Sequence, residues 1–308
     1  MKRWVGIDVG GTRIKAGLVT PTFQVEREQV VPLSEADRTE DGILACLKRV
    51  IDAVDPKRKA VAVGVGVPGV LSSETGALTV SPNFPAWRDF AFKRRLEGVT
   101  GRHVLCDNDA NCVIAGEALV GAGAGYPNLI GLTLGTGVGG ALVLHRALWR
   151  GETGMAGELG HVTIDPNGPP CGCGSRGCLE MYPSVVGLRH MLRAEPVAGV
   201  EAEAADVPEQ LARAAQAGDT TARRHFATAG RALGQALAGL LNALNIKRVV
   251  LAGGVAATWP LMETAARAEL HARAFAGVVA GVVITVGTLG DRAGMLGAAM
   301  QWKLQPHD

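Results

Sequence analysis

The chain contains two segments in which an apolar run, a glycine-rich turn and a second apolar run follow one another. In the first segment, Trp4 to Val9 and Ile14 to Val19 flank Gly10-Gly11-Thr12. In the second, Leu129 to Leu134 and Ala141 to Leu144 flank Gly135-Thr136-Gly137-Val138-Gly139-Gly140 in the same order. Apolar runs joined by tight glycine turns predict antiparallel neighbouring strands. The two segments share few identities, but together they predict two halves, each opening on a strand, a turn and a strand.

Both turns offer consecutive backbone N–H groups, and such groups form anion-binding nests. Asp8 stands at the end of the first strand, whereas the second turn has no acid before it. An ordinary hairpin would explain either turn alone, but two matched turns in one chain favour phosphate binding. The candidate phosphate-binding residues are Gly10, Gly11, Thr12, Gly135, Thr136, Gly137 and Gly139.

Three segments match the pattern Gly-x-Gly-x-x-Gly, beginning at Gly64, Gly135 and Gly172. A dinucleotide site needs a strand before this pattern and a helix after it. No strand precedes Gly172, and no helix is predicted after the other two, although Glu158 lies near the expected distance downstream of Gly135. We therefore do not expect a nicotinamide site. A Walker phosphate loop is also excluded, because the chain has no Gly-Lys-Ser or Gly-Lys-Thr.

Three cysteines and a histidine lie close together near the middle of the chain, at His161, Cys171, Cys173 and Cys178. Cysteine and histidine at this density suit tetrahedral Zn²⁺, whose structural sites use Cys₃His sets. The spacing Cys-x-Cys-x₄-Cys is not a common finger spacing, so zinc is inferred from ligand chemistry and glycine content. The alternative is a loop with three free thiols. A closed Cys₃His site would shape a loop and activate no water.

Composition limits the class of protein. At 308 residues the chain is long for a single core, so two domains are expected. A net charge of +2 gives no basic field of the kind that nucleic acid requires. Asp8 comes too early for the apolar core of a signal peptide. The apolar stretch from Ala229 to Leu244 does not read as a membrane span, because Arg231 and Gln235 interrupt it. Six cysteines, half of them in the metal-like cluster, fit a reducing compartment. We therefore predict a cytoplasmic protein without nucleic-acid or membrane partners.

The remaining pattern predicts alternating strands and helices. The predicted strands are Ala60 to Val67, Val104 to Cys106, Arg248 to Ala252 and Val282 to Val286. The predicted helices are Gly42 to Val54, Ala110 to Val120, Thr220 to Asn245 and Arg292 to Trp302, with shorter helices and a surface connection between Leu192 and Ala217.

The order of the motifs resembles the repressor, open reading frame, kinase (ROK) family of sugar kinases, most closely its bacterial glucokinases. The likeness covers nearly the whole chain and rests on Asp8-Val9-Gly10-Gly11-Thr12, Val67-Pro68-Gly69, Ser81-Pro82-Asn83-Phe84-Pro85-Ala86-Trp87, Asp107-Asn108-Asp109-Ala110-Asn111, Leu134 to Gly140, Glu158-Leu159-Gly160-His161, the cysteine cluster with Glu180, and Leu251-Ala252-Gly253-Gly254.

This resemblance implies an α/β fold of two lobes, the actin/hexokinase-like (ribonuclease H-like) ATPase fold with a cleft between lobes. We expect a small N-terminal lobe of residues 1–115, completed by a C-terminal helix at 291–308, and a large lobe of residues 116–290 with the zinc-binding loop. Repressor members carry a winged-helix domain ahead of this fold. Because the first strand begins at Trp4, we expect no such domain here. A homodimer or homotetramer follows from the resemblance alone.

The resemblance also implies roles for individual residues. Asp109 matches the catalytic carboxylate, and its alternative role is a helix N-cap, which Asp107 or Asn108 would otherwise fill. Asp8 matches a partner of Mg²⁺. Gly253 and Gly254 match the adenosine side of an ATP site, with the turn from Gly135 to Gly139 at the γ-phosphate. Lys15 is a candidate phosphate neighbour or an outward-facing strand lysine. The implied sugar ligands are Gly69, Asn83, Asn108, Asp109, Glu158, His161 and Glu180.

The implied activity is ATP-dependent phosphorylation of a hexose at its 6-hydroxyl, with glucose as the first choice. Two alternatives stay open. One is a kinase for mannose, fructose, allose, N-acetylglucosamine or N-acetylmannosamine. The other is a sugar-sensing protein without catalysis.

Overall fold

A computed structural model describes residues 2–72, 74–81 and 83–304 of the chain. The chain divides into two compact units. The first consists of Met1–Pro127, Ala141–Gly157 and Thr288–Asp308, and the second of Asn128–Gly140 and Glu158–Gly287. Lobe boundaries at 115/116 and 290/291 stay a prediction, and residues 305–308 of the expected C-terminal helix lie outside the described residues.

The secondary structure alternates between strands and helices. The strands are β1 (Arg3–Val9), β2 (Arg13–Val19), β3 (Val25–Pro32), β4 (Ala60–Val67), β5 (Val70–Leu71), β6 (Leu78–Val80), β7 (Val104–Asn108), β8 (Leu129–Leu134), β9 (Val138–Leu144), β10 (Ala147–Trp149), β11 (Arg248–Ala252) and β12 (Val283–Val286). The helices are α1 (Glu40–Val54), α2 (Phe92–Thr100), α3 (Asp109–Val120), α4 (Val185–Ala194), α5 (Val207–Gln216), α6 (Thr220–Leu244), α7 (Trp259–Arg273), α8 (Ala276–Val279) and α9 (Ala293–Met300).

The sheet of the first unit has the strand order β3–β2–β1–β4–β7. β1 is antiparallel to β2, as the first glycine turn predicts, and parallel to β4, which is in turn parallel to β7. Parallel strands end at the same edge of a sheet, so the residues that follow β1, β4 and β7 are neighbours. This edge carries Asp8, Gly69 and Asp109.

Alternate residues of β1 serve the two faces of this sheet, because successive strand side chains point in opposite directions. Val5 and Ile7 belong to a core that includes Leu47 of α1, whereas Trp4 belongs to a second core with Met295 of α9. The sheet is therefore covered on one face by α1 and on the other by α9. α9 continues into a 3₁₀ helix, Gln301–Leu304.

In the second unit, β8, β11 and β12 are parallel neighbours, with β11 between the other two. β9 begins in this unit at Val138, and from Ala141 onward it belongs to the first unit, where it pairs antiparallel with β10. The long helix α6 packs against α7. Among the described residues, no helix has the length and hydrophobicity needed to cross a membrane.

The predicted strands at Ala60–Val67, Leu129–Leu134 and Arg248–Ala252 have the bounds expected from the sequence. β9 starts at Val138 rather than at Ala141, so a strand follows the Gly135 motif where a dinucleotide site would need a helix. β3, α2 and α7 were not predicted. β3 is an edge strand in which no residue is buried and half of the residues are polar, and nothing in its local pattern distinguishes it from a loop.

Candidate active site

The edge formed by β1, β4 and β7 brings together four of the predicted site residues. Asp8 pairs in register with Gly66 of β4, and Gly66 pairs with Asp107 of β7. Just beyond, the Asn108 Nδ2 donates a hydrogen bond to the Gly69 carbonyl at 3.0 Å. The carboxylate of Asp109 is near enough to that of Asp8 to raise its pKa.

The start of α3 decides which polar residue acts as the helix cap. Asn108 is the N-cap, and its Oδ1 accepts the N–H groups of Ala110 at 2.9 Å and Asn111 at 3.3 Å. Asp109 is the first residue of the helix, and its Oδ1 accepts the same Ala110 N–H at 2.9 Å. Because Asn108 satisfies the helix terminus, capping does not require Asp109.

Asp8 is a largely buried acid at the end of β1. Burial raises the pKa of its carboxyl to about 6, with a further upward contribution from Asp109 that Lys15 partly opposes. Gly294 of α9 lies directly against this carboxylate. A Cβ at position 294 would lie 2.8 Å from the Asp8 Cγ, so only glycine allows the helix to approach this closely. The sequence analysis did not identify Gly294.

The first glycine turn is held by the residues beside it. Gly10 donates its N–H to the Arg13 carbonyl at 2.9 Å, and the Gly11 carbonyl accepts a hydrogen bond from Arg38 at 2.9 Å. Asn83 lies beside Gly11. Thr12 is exposed in the same turn.

A cluster of aromatic side chains supports the first glycine turn through Arg38. Trp87 is fully buried, stacks on Phe84 with ring centroids 3.9 Å apart, and donates its Nε1–H to the carbonyl of Arg38 at 2.8 Å. The guanidinium of Arg38 also lies over the Phe84 ring. The segment around Asn83 therefore has a rigid support, although Asn83 itself is exposed.

Lys15 points to a partner that the sequence analysis did not identify. Its Nζ lies 2.9 Å from the Asp291 carboxylate and donates to the Asp291 carbonyl at 3.2 Å. Arg13 also pairs with Asp291, at 2.9 Å. These two cations hold the pKa of the Asp291 carboxyl below its usual range, with the hydrogen bond from Lys15 as the largest cause.

In the second unit, the turn after β8 is held by a glutamate. The N–H of Val138 donates to the Glu180 Oε2 at 3.1 Å. A Cβ on Gly137 would lie only 2.1 Å from the same oxygen, so a larger residue there would displace the Glu180 carboxylate. The carbonyls of Gly135 and Thr136 accept the N–H groups of the first two residues of α4, at 2.9 and 3.1 Å. A carboxylate therefore contacts a backbone N–H within the turn that was predicted to bind phosphate, at Val138, which is not itself one of the predicted phosphate-binding residues.

The glycine pair after β11 lies at the same sheet edge as this turn. β8 and β11 are parallel and in register from Val249 opposite Ile130 to Ala252 opposite Thr133. The two strands therefore deliver Gly135 and Gly253 to neighbouring positions. Gly254 begins a short 3₁₀ helix, Gly254–Thr258.

The four predicted zinc ligands form one cluster. The ligand atoms of His161, Cys171, Cys173 and Cys178 all lie within 4.8 Å of one another. The His161 Nδ1 is 3.7 Å from the Cys171 Sγ, and the Cys173 Sγ is 3.7 Å from the Cys178 Sγ. With Zn–S of about 2.3 Å and Zn–N of about 2.0 Å, tetrahedral geometry separates neighbouring ligand atoms by about 3.5–3.8 Å. The donor set and its dimensions therefore fit zinc.

The two glutamates flanking this cluster lie close to it. Glu180 approaches through Oε1, which is 3.6 Å from the Cys171 Sγ. Glu158 is exposed, and its Oε2 is 4.0 Å from the His161 Nε2, the ring nitrogen that does not face Cys171. The structure thus groups Glu158, His161 and Glu180 around the cysteine cluster, as the sequence predicted.

Comparison with known proteins agrees with this arrangement. Residues 4–305 match the ROK family. A glucokinase of Thermotoga maritima is 34% identical over 305 residues, covering 96% of this chain and 95% of its own. The crystal structure of a ROK hexokinase from Thermus thermophilus has a TM-score of 0.83 at 35% identity, covering 97% of each chain. A ROK family glucokinase from Streptomyces griseus, solved with glucose and AMPPNP, has a TM-score of 0.81 at 30% identity, covering 96% of this chain and 98% of its own.

These matches span nearly the full chain, in sequence and in fold. The chain therefore belongs to the ROK family, has the actin-like fold of its hexokinases, and is a sugar kinase.

Proposed function

We propose that this protein transfers the γ-phosphoryl group of ATP to the 6-hydroxyl of a hexose, with glucose as the preferred sugar. The observation that carries this proposal is the edge of the first sheet, where Asp8 and Asp109 lie at the ends of the two strands that flank β4, near enough for Asp109 to raise the pKa of Asp8. Asp109 would accept the proton of the attacking hydroxyl, and Asp8 would bind the cation. Phosphoryl transfer requires both functions.

In the proposed reaction, Asp109 is the general base. Its carboxylate accepts the proton of the sugar 6-hydroxyl as that oxygen forms a bond to the γ-phosphorus. The bond from this phosphorus to the bridging oxygen breaks, and ADP leaves with the electron pair. Capping of the helix does not require Asp109, because Asn108 is the N-cap.

Asp8 is the proposed residue for Mg²⁺, which when bound neutralises charge on the transferred phosphates. The Asp8 carboxylate is buried and its pKa is raised, so a bound cation would stabilise its charged form. The chemistry of Asp8 therefore fits Mg²⁺. Lys15, Gly10, Gly11 and Thr12 are proposed to contact the phosphates from the same unit. The second unit contributes Gly135, Thr136, Gly137 and Gly139 for the γ-phosphate and Gly253 and Gly254 for the adenosine.

The proposed sugar ligands offer both donors and acceptors, as a ring of hydroxyls requires. They are Gly69, Asn83, Asn108, Asp109, Glu158, His161 and Glu180. His161 is proposed to bind zinc through Nδ1 and to present its Nε2–H to the sugar, since the hydrogen on the free ring nitrogen is fixed when the other nitrogen is metallated. Glu180 touches both the cysteine cluster and the turn at Val138, so its orientation depends on that cluster.

Zinc is the proposed structural metal of the second unit. Burial raises the pKa of the Cys171 thiol to about 12, so a thiolate at this position requires a compensating cation. When bound, the metal would brace the loop that carries His161 and Glu180. Its four protein ligands leave no coordination position for water.

We expect one equivalent of zinc per chain, and we expect Cys173→Ser to raise the hexose Kd by about 10- to 100-fold with a smaller effect on the ATP Kd. The loss of one ligand frees the loop that orients Glu180. Elemental analysis and calorimetric titration with glucose and with an ATP analogue measure these effects. Cys46→Ser, in α1, is the matched control and should keep the metal. Freshly purified, active protein without zinc would contradict the proposal.

A panel of kcat/KM values over glucose, mannose, fructose, allose, N-acetylglucosamine and N-acetylmannosamine tests the activity and the sugar preference. We expect ADP release with glucose, ATP and Mg²⁺, and the highest kcat/KM for glucose. An epimer is rejected only where the pocket wall is tight, so discrimination of about tenfold decides between sugars. If an N-acetylated sugar exceeded glucose by that factor, the glucose assignment would be wrong but the kinase assignment would stand. Tight sugar binding without ADP release would favour the sugar-sensing alternative.

Assembly as a homodimer or homotetramer, a cytoplasmic location and the absence of a nucleic-acid partner all stay predictions.

A further inference from the structure

Asp107 directly precedes the two residues proposed to bind sugar and to accept its proton, but it has a different set of contacts. Its side chain is buried, and its Oδ1 accepts the N–H of Asn108 at 2.9 Å and the Nδ2–H of Asn111 at 2.7 Å. Its Oδ2 accepts two hydrogen bonds from Arg150, from Nε at 3.0 Å and from Nη2 at 2.6 Å. Both carboxylate oxygens of Asp107 therefore accept hydrogen bonds from other residues of the protein.

The arginine comes from a distant part of the chain. Arg150 follows β10 and is 43 residues from Asp107 in sequence. The side chains of Asp107 and Arg150 are 7% and 21% exposed, so the pair is largely shielded from water. Two charge-assisted hydrogen bonds from one guanidinium restrain the position of the carboxylate.

The contacts of Asp107 form a closed set around the first turn of α3. Asp107 holds the backbone of Asn108 and the side chain of Asn111, and Asn108 in turn caps the N–H groups of Ala110 and Asn111. Asp109 is the residue enclosed by these hydrogen bonds. These hydrogen bonds restrain its backbone.

We propose that Asp107 and Arg150 are positioning residues that hold the Asp109 carboxylate where it accepts the proton of the 6-hydroxyl. This inference rests on the proposed hexose kinase function. Arg150 restrains the Asp107 carboxylate through two hydrogen bonds, and Asp107 transmits that restraint to the start of α3. A displacement of about 1 Å at a reacting group costs roughly 10²-fold in rate.

The chain offers a matched pair that lacks the proposed role. Asp55 and Arg102 form a buried ion pair at 2.6 Å, with side chains 0% and 5% exposed, and Asp55 also accepts the N–H groups of Lys59 and Ala60. Arg102 lies just before the start of β7, whereas Asp107 lies near its end. The two pairs share their chemistry, but only one adjoins Asp109.

The test measures kcat and KM for Arg150→Gln, Arg150→Lys, Asp107→Asn and the control Arg102→Gln, in the full-length protein with glucose, ATP and Mg²⁺. We expect Arg150→Gln and Asp107→Asn to lose about 10- to 100-fold in kcat, with both KM values within about threefold of wild type. Arg150→Lys keeps the charge and should be at least about fivefold faster than Arg150→Gln. Arg102→Gln should lower Tm and leave kcat unchanged.

Three results would overturn the inference: wild-type kcat in folded Arg150→Gln, an equal kcat loss in Arg102→Gln, or no advantage of Arg150→Lys over Arg150→Gln. Folding is checked by circular dichroism and by a Tm well above the assay temperature. If Arg150→Gln does not fold, Arg150→Lys and Asp107→Asn carry the comparison. A wild-type protein inactive toward every hexose would remove the proposed function together with this inference, whereas active wild type with unaffected variants would remove the inference alone.

Discussion

Replacing Asp109 by asparagine is expected to lower kcat by about 10²- to 10⁴-fold, the usual contribution of a general base. The amide has nearly the same shape and still forms hydrogen bonds, so glucose binding should persist with a Kd close to that of wild type. The helix should also persist, because Asn108 and not Asp109 supplies the cap. Initial-rate kinetics and calorimetric titration with glucose separate the two effects.

The control for this substitution is Asp52→Asn on α1, which removes a partly exposed acid whose partner is Lys48. A surface pair of this kind contributes little to stability, so the control should match wild type in rate and binding. If Asp109→Asn retained more than about a tenth of the wild-type kcat, the base would have to be another group.

Replacing Asp8 by asparagine should abolish Mg²⁺-dependent turnover and at the same time stabilise the protein in the absence of ligand. Burial holds the pKa of Asp8 at about 6, above its ordinary value of 3.8. The folded state therefore binds this proton more tightly than the unfolded state does. The stability of the wild type should fall as the pH rises from about 4 to about 6 and then stay at the lower level.

A pKa shift of this size corresponds to about 2 to 3 kcal/mol, so Asp8→Asn should raise the free energy of unfolding by about that amount at pH 8. The difference between the two proteins should disappear near pH 4, where the wild-type carboxyl is protonated. Urea unfolding at pH 4, 6 and 8 without Mg²⁺ or nucleotide measures it. Added Mg²⁺ with nucleotide should stabilise the wild type more than the variant. If wild type and Asp8→Asn were equally stable at pH 8, burial of the charged Asp8 carboxylate would not destabilise the folded state, contrary to this prediction.

Local sequence patterns were sufficient to predict the strands and turns that contain much of the proposed site. The turn at Gly10-Gly11-Thr12 predicted the antiparallel pair β1 and β2, and the glycines after β8 and β11 marked two more strand ends. The sequence also predicted the four residues of the proposed zinc site, and these residues cluster in the structure. Each of these features depends on residues near one another in the chain, or on a residue type with few other uses in such density.

The sequence was less informative where several neighbouring residues had the same chemical capacity. Asp107, Asn108 and Asp109 can each cap a helix, and the pattern alone did not choose among them. The structure assigns the cap to Asn108 and gives Asp107 an arginine partner. Which residue caps α3 depends on where the helix begins and on which residues lie beside β7. The three residues by themselves determine neither.

The sequence by itself therefore determined the strand ends, the glycine turns and the cysteine–histidine cluster, because these follow from backbone conformation and ligand chemistry over short distances. Only the tertiary structure decided that Arg150 pairs with Asp107, that Asp291 pairs with Lys15, and that Gly294 adjoins Asp8. An arginine or a glycine has many equivalent positions in a sequence. Its partner is selected by the path of the chain, which brings distant segments together to bury the apolar faces of the sheet and its helices.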